Sequence, residues 1–159
     1  FLPITSFMMA LTTFVSQNRG AKEYERARKG AHFGLVCSVS LAETIGLLIA
    51  LFATPLMRLF VDDPQVIQYG VERAHYATIL FFMLAYSHGV SAVLRGVGKS
   101  VVPMVVMLVC WCLVRVTLLT MLNMLFHNIL FVYLIYPFTW SLSSITFFIY
   151  YHRVDWLHA

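Results

Sequence analysis

Residues 128–151 read NILFVYLIYPFTWSLSSITFFIYY and carry no charged side chain. A hydrocarbon core about 30 Å thick is crossed by a helix of about 20 predominantly apolar residues. This stretch is long enough and apolar enough to cross a bilayer, and it therefore predicts a transmembrane helix.

The remaining sequence repeats this pattern. Residues 31–52, 74–94 and 101–122 predict three more complete spans, and residues 1–16 predict a partial one. Of all 159 residues, 60% are hydrophobic and 11% are charged, whereas soluble domains are about 45–50% apolar and about 25% charged. A chain of this length cannot bury that much apolar surface within itself. We therefore predict an all-α, polytopic transmembrane helix bundle.

The charges are divided unequally between the two ends of the predicted helices. The connection at residues 53–73, with a turn at Asp62, Asp63 and Pro64, belongs to the end that carries few basic residues. The opposite end collects eight: Arg19, Lys22, Arg26, Arg28, Lys29, Arg95, Lys99 and Arg153. The positive-inside rule makes that end cytoplasmic, together with a tail at residues 152–159. The net charge of +4 is thus a topology signal, and we expect no nucleic-acid partner.

Two short motifs resemble loops of the multidrug and toxin extrusion (MATE) transporters. QNRGA at residues 17–21 resembles the QN-x-GA loop of that family, and LRGVG at residues 94–98 resembles its L-R-G-x-G…P junction. A proline and a tryptophan in the last span fit the family's closing helices. The motif residues are Gln17, Asn18, Gly20, Arg95, Gly96, Gly98, Pro103, Pro137 and Trp140.

The resemblance implies a twelve-helix transporter built from two six-helix lobes, of which residues 1–151 form part of the C-terminal lobe. Such proteins export cationic or amphipathic compounds in exchange for H⁺ or Na⁺ by alternating access, and they are not enzymes. The implied partners are the lipid bilayer of a prokaryotic plasma membrane, the missing N-terminal lobe and small organic cations, with no metal or resident cofactor. Two alternatives stay open: a lipid-linked oligosaccharide flippase of the same superfamily, and a non-transporting structural membrane subunit.

Glu43 and Arg115 are the only formal charges inside the predicted spans, and ionisable groups in hydrocarbon are candidates for function. They lie roughly 18 Å and roughly 21 Å along two parallel helices, so they are able to pair if their faces meet. In one interpretation Glu43 binds the coupling proton or a cationic drug. In the other, the charges only lock two helices together, or Arg115 caps backbone carbonyls.

The predicted span at residues 74–94 departs from the family, because many members carry an acid there and this chain has none. His75 and His88 are its titratable groups near neutral pH. We take His88 and its neighbour Tyr86 as candidate binding residues. The missing acid leaves open whether ion coupling resides in the other lobe.

Small residues and prolines predict local backbone structure. Asn18 and Gly20 tolerate left-handed backbone where a helix ends, Gly96 and Gly98 suit a tight turn, and Pro103 suits the first turn of a helix. The three cysteines, inside apolar runs, are interpreted as small core residues. A ridge of small residues at a spacing of four predicts close helix packing: Gly30, Gly34, Ser38, Ala42, Gly46 and Ala50.

Overall fold

The computed structural model describes residues 2–126 and 129–157, and this part of the chain is helical without strands. The predicted all-α membrane helix bundle is confirmed. Phe1 of the predicted partial span, His127, Asn128 at the start of the predicted last span, and the last two residues of the predicted tail lie outside the described residues. The helices are α1 (Leu2–Gly20), α2 (Tyr24–Leu51), α3 (Ala53–Arg58), α4 (Pro64–Thr78), α5 (Phe81–Gly96), α6 (Val101–Met107), a π-helical segment (Leu108–Val114), α7 (Arg115–Phe126) and α8 (Ile129–Arg153).

Three helical stretches in the described residues are long and apolar enough to cross a membrane. They are Tyr24–Leu51, Val101–Leu125 and Leu130–Arg153. A fourth span results if α4 and α5, which meet at a bend of 57°, are taken together. Helix α1 has a shorter apolar part, because its last turn carries the polar QNR sequence.

The prediction of one continuous helix over residues 74–94 is wrong. The helix breaks between Thr78 and Phe81. At the break, the backbone N–H of Phe82 donates to a carboxylate oxygen of Glu43 on α2, at 3.1 Å. In an uninterrupted helix this N–H would bond to the carbonyl of Thr78. The Glu43 carboxylate on α2 therefore takes the place of the intrahelical acceptor, and α5 begins as a separate helix.

The predicted connection at residues 53–73 is also more helical than expected, since it contains α3 and most of α4. The turn predicted around Pro64 separates these two helices. Asp63 begins α4 as its N-cap: its Oδ1 accepts from the backbone N–H of Gln65 at 2.8 Å and of Val66 at 3.5 Å. Pro64 stands in the first turn, where its missing N–H costs no hydrogen bond.

The small-residue ridge of α2 packs against two different helices. Gly34 faces Leu11 of α1, and Gly46 faces Phe81 of α5. Between them, Ser38 and Ala42 are almost completely buried. The predicted close packing of this ridge is confirmed, and it places α2 across α1 and α5.

Helices α1 and α5 approach each other even more closely. The hydroxyl of Thr12 donates to the carbonyl of Ala92 at 3.1 Å, and Val15 and Val93 are completely buried. A methyl group placed on Gly96 would lie 2.8 Å from the carbonyl oxygen of Thr12. Gly96 is therefore required for helix contact rather than for the turn that the sequence suggested.

One of the two predicted chain reversals is made by a residue other than expected. After α1 the left-handed residue is Lys22, with φ of 61°, and neither Asn18 nor Gly20 has a positive φ. After α5, Gly98 has a φ of 81°, as predicted for a tight turn. Pro103 is buried in the first turn of α6, also as predicted.

The cysteines differ in burial. Cys110 is buried, Cys37 is half-buried and Cys112 is exposed. The interpretation of all three as core residues therefore holds for Cys110 but is wrong for Cys112.

Replacing Gly96 with alanine tests the contact between α1 and α5. We expect Gly96→Ala to lower the stability of the intact protein by about 1–3 kcal/mol, because the added methyl forces two backbones apart. Thermal unfolding in detergent measures the change. Gly20→Ala is the matched control, since nothing lies within 4 Å of a methyl group there. Equal stabilities of the two variants would contradict the close contact.

Candidate functional site

Arg115 lies at the start of α7 and points its guanidinium at α8. Its Nη2 and Nε donate to the hydroxyl oxygen of Thr139 at 2.6 and 3.2 Å. The guanidinium carbon lies 5.1 Å from the ring centroid of Trp111 and 4.6 Å from that of Tyr136. Aromatic faces attract a cation most strongly where water is excluded. The positive charge is therefore held by one hydroxyl and two rings.

A second guanidinium shares one of these rings. Arg73 on α4 lies 5.0 Å from the ring centroid of Tyr136. Among residues 2–126 and 129–157, neither Arg73 nor Arg115 forms an ion pair with a carboxylate. Two positive charges therefore lie against the ring of Tyr136.

Hydrogen bonds between side chains extend from this arginine site into the bundle. Ser143 on α8 accepts from the indole N–H of Trp111 at 3.2 Å and from the hydroxyl of Ser87 on α5 at 3.0 Å. Ser143 in turn donates to the carbonyl of Trp140 at 3.0 Å. The imidazole of His88 meets the indole of Trp111 edge to face, with centroids 5.1 Å apart. One polar and aromatic cluster thus joins α5, the π-helical segment, α7 and α8.

The π-helical segment supplies the tryptophan at the centre of this cluster. Leu108–Val114 interrupts the regular α-helical hydrogen bonding between α6 and α7. Such segments are rare and frequently occur at functional sites. Nothing in the run LVCWCLV, which has no glycine or proline, indicated the change in helix type.

Glu43 does not meet Arg115. Its carboxylate bonds to the N–H of Phe82 in the first turn of α5, whereas Arg115 bonds to Thr139. An anion at a helix N-terminus is favoured by the exposed N–H groups and the helix dipole. The two side chains therefore do not form the ion pair that the sequence allowed. Glu43 caps α5, and Arg115 forms a separate site.

The other candidate residues lie along different faces of α5. His88 lines a cavity of about 380 Å³ together with Met8 and Thr12 of α1 and with Arg95 near the end of α5. Tyr86 lies on another side of α5, in apolar cavities beside Phe148. His75 belongs to α4, and its Nε2 donates to the carbonyl of Ala50 at 3.1 Å. Of the candidates, only His88 and Arg115 contact the same residue, Trp111.

The two loops that carry the sequence motifs are bonded to each other. Arg19 donates to the carbonyl of Val97 at 2.7 Å. Asn18 is buried and donates to the carbonyl of Phe14 at 2.7 Å, while its own carbonyl accepts from the N–H of Glu23 at 2.9 Å. Gln17 closes the last turn of α1 by accepting from Ala21. Arg19 thus holds the ends of α1 and α5 together, whereas Asn18 and Gln17 bond within α1 and the turn that follows it.

Helix α8 continues through Pro137. Ser141 donates to the carbonyl of Pro137 at 2.8 Å, and Ser144 reaches across to the carbonyl of Met83 on α5 at 2.6 Å. Trp140 packs its ring edge to face against Phe81 at the start of α5, with centroids 6.1 Å apart. Ser141 thus bonds within α8, and Ser144 links α8 to α5.

The sequence did not indicate that these residues form one cluster. Arg73 was counted as a charge outside the membrane, and Ser87, Trp111 and Thr139 were not considered as a group. The only signal was the unusual number of hydroxyl residues in the apolar runs around Thr139 and Ser87.

Comparisons with known proteins place these observations in context. Residues 1–121 match the protein-family model described as MatE. Over 106 residues, or 67% of this chain, the sequence is 30% identical to a protein of Thermotoga maritima described as probable multidrug resistance protein NorM. The match covers 23% of that protein, so the chain spans about a quarter of its relative.

The helix cap formed by Glu43 predicts a graded effect of two substitutions. Glu43→Ala removes the acceptor for the N–H of Phe82 and should lower stability by about 1 kcal/mol, the usual cost of losing a cap. Glu43→Gln keeps an acceptor oxygen and should lose less. Thermal unfolding of the intact protein measures both. An unfolding temperature of Glu43→Ala equal to that of the wild type would show that the cap does not contribute to stability.

Proposed function

The chain belongs to the MatE family, the multidrug and toxin extrusion transporters, and on that premise we propose that the intact protein exports cationic or amphipathic organic compounds across the plasma membrane of a prokaryote. Export is driven by inward movement of H⁺ or Na⁺ through alternating access. The family match over residues 1–121 carries this proposal.

The broken helix supports a transport role for this part of the protein. Non-helical backbone at membrane depth is tolerated where protein buries it or where it borders a cavity. Secondary transporters use discontinuous helices to build their binding sites. Helices α4 and α5 form such a pair, and Trp140 packs against the first residue of α5. The break lies beside the aromatic cluster that a transported compound would contact.

The distribution of basic residues supports the proposed orientation of the chain in the membrane. The ends of α1 and α5 that carry Arg19 and Arg95 lie in the cytoplasm, as does the end of α8. The turn at Asp63 then faces outward. The missing N-terminal lobe would pack against this chain to complete the transport path.

For ion coupling we propose His88 rather than Glu43 as the contributing group of this chain. Glu43 is engaged as the cap of α5, and a coupling group must instead bind and release its ion. His88 lines a cavity and contacts the indole of Trp111. No resident cofactor is needed in this scheme.

Arg73 and Arg115 favour one second candidate, a flippase for a lipid-linked oligosaccharide. Both guanidiniums lie against the ring of Tyr136, and neither forms an ion pair with a carboxylate among the described residues. A lipid-linked sugar carries phosphate, and guanidinium groups bind phosphate through paired hydrogen bonds. A cationic compound gains nothing from this pair of charges.

Resistance to cationic dyes in a drug-sensitive host tests the proposal and separates the two cargoes. The intact protein should raise the tolerated dye concentration several-fold. We expect His88→Ala to abolish most of this gain, and Glu43→Gln to keep most of it because the cap retains an acceptor. Full resistance of His88→Ala would contradict the role of His88 in coupling.

Arg73→Gln distinguishes the cargoes without touching the aromatic rings. Export of a cation should persist or increase when this positive charge is removed, whereas flipping of an anionic lipid should fall about tenfold, the loss expected for a charge-assisted hydrogen bond. Arg58→Gln, on α3, is the control for loss of one positive charge. Dye efflux and lipid flipping are both measured in proteoliposomes. A protein that flips the lipid and exports no dye would overturn the efflux proposal.

A further inference from the structure

Helices α2 and α8 border a row of three neighbouring cavities, and of the candidate residues only Tyr86 lines any of them. The cavity at the end of the bundle has a volume of about 520 Å³ and is lined by Arg28 of α2 and by the last residues of α8 and those that follow, including Arg153 and Trp156. The middle cavity, of about 330 Å³, shares Tyr151 and His152 with it. The two cavities are therefore adjacent.

The third cavity extends this row toward the break in the α4–α5 pair. It has a volume of about 310 Å³ and shares Val39 and Phe148 with the middle cavity. Its lining includes Met83 and Ile145 and is almost entirely apolar. We call this row of adjacent cavities, from Arg28 and Arg153 at one end to Ile145 at the other, the α2–α8 groove.

The length of this groove matches one leaflet of a bilayer. Arg28 and Val39 are eleven residues apart on α2, which corresponds to roughly 16 Å at 1.5 Å per residue. One leaflet contributes about half of a hydrocarbon core that is about 30 Å thick. The side chains of Val36 and Phe148 that line the groove are about half exposed, so a chain from the bilayer is able to reach them.

The charged end of the groove is positive. Arg28 and Arg153 are both exposed there, against one acid, Asp155. The Oδ1 of Asp155 accepts from the backbone N–H of Leu157 at 3.3 Å. His152 donates from Nδ1 to the carbonyl of Phe148 at 3.0 Å, which fixes its ring beside the arginines. The cavity therefore presents two guanidiniums and one oriented imidazole against the single carboxylate of Asp155.

We propose that the α2–α8 groove binds an anionic phospholipid. The phosphate lies between Arg28 and Arg153, and one acyl chain runs along Val36 and Phe148 toward Ile145. A soluble phosphate would contact only the charged end of the groove, and a neutral apolar molecule would contact only its apolar part. A phospholipid with a negative headgroup is the ligand whose charge and length match both parts.

Lipid addition to the purified intact protein tests this proposal. Delipidated protein in a mild neutral detergent is titrated with phosphatidylglycerol, phosphatidylcholine or inorganic phosphate, and its thermal unfolding midpoint gives an apparent affinity for each. Phosphatidylglycerol should raise the midpoint at lower concentrations than the other two. An equal effect of inorganic phosphate would identify a site for small anions without an acyl-chain part. An equal effect of phosphatidylcholine would show that the headgroup charge does not contribute to binding. Either result would overturn the proposal.

Substitutions locate the bound lipid. Arg28→Gln and Arg153→Gln should each weaken the apparent affinity for phosphatidylglycerol about fivefold, the effect of one basic residue near a membrane surface. Arg26→Gln is the matched control, because Arg26 is exposed two residues away and does not line the cavity. Equal losses for Arg26→Gln and Arg28→Gln would indicate unspecific attraction and refute the site.

The acyl-chain part of the groove has its own test. Val36→Trp fills the middle cavity and should weaken phosphatidylglycerol binding while leaving the effect of inorganic phosphate unchanged. Ile145→Trp, at a position that is 55% exposed, fills the far cavity and provides a second block if Val36→Trp destabilises the protein. Unchanged lipid affinity in these variants would show that no acyl chain lies in the groove.

Discussion

The guanidinium of Arg115 sets the main constraint on this helix bundle. A charge inside a membrane-spanning segment must find its partners within the protein, because the hydrocarbon offers none. Arg115 finds the hydroxyl of Thr139 and the faces of Trp111 and Tyr136. These contacts fix the position of α7 against α8 and place Trp111 where it bonds to Ser143. The packing of α7 and the π-helical segment against α8 thus accommodates one positive charge.

The need to satisfy polar groups within the protein also explains the contacts at the break between α4 and α5. A helix that starts at membrane depth leaves its first N–H groups without intrahelical acceptors. Glu43 supplies one acceptor from α2, and Met83 bonds back to the carbonyl of Leu80. A carboxylate in this place is at once the partner of the N–H of Phe82 and a counter-charge for the helix dipole. The two formal charges in the apolar runs therefore act at separate sites, each joining a different pair of helices.

Hydropathy alone predicted the class of fold and most of the helices, because the apolar runs are local in sequence. The small-residue ridge of α2 and the turn at Gly98 were predicted as well, because each depends on a local sequence pattern. The break near Ile79 was missed since it depends on Glu43, which lies far away in the sequence and meets Phe82 only after folding. The π-helical segment was missed for a similar reason: its Trp111 is held by Ser143 of another helix. The motif residues were recognised by family resemblance, but their contacts, such as Arg19 with Val97, required the structure.

The central claim is that Arg115 and Thr139 act as one unit that secures α7 to α8. A double-mutant cycle measures this most directly, with Arg115→Gln, Thr139→Val and the double variant compared by thermal unfolding of the intact protein. Thr117→Val, an exposed threonine of α7 that bonds within its own helix, serves as control. The account predicts that the double variant is destabilised by clearly less than the two single losses combined, with a coupling energy of about 1–3 kcal/mol. Additive losses would contradict it.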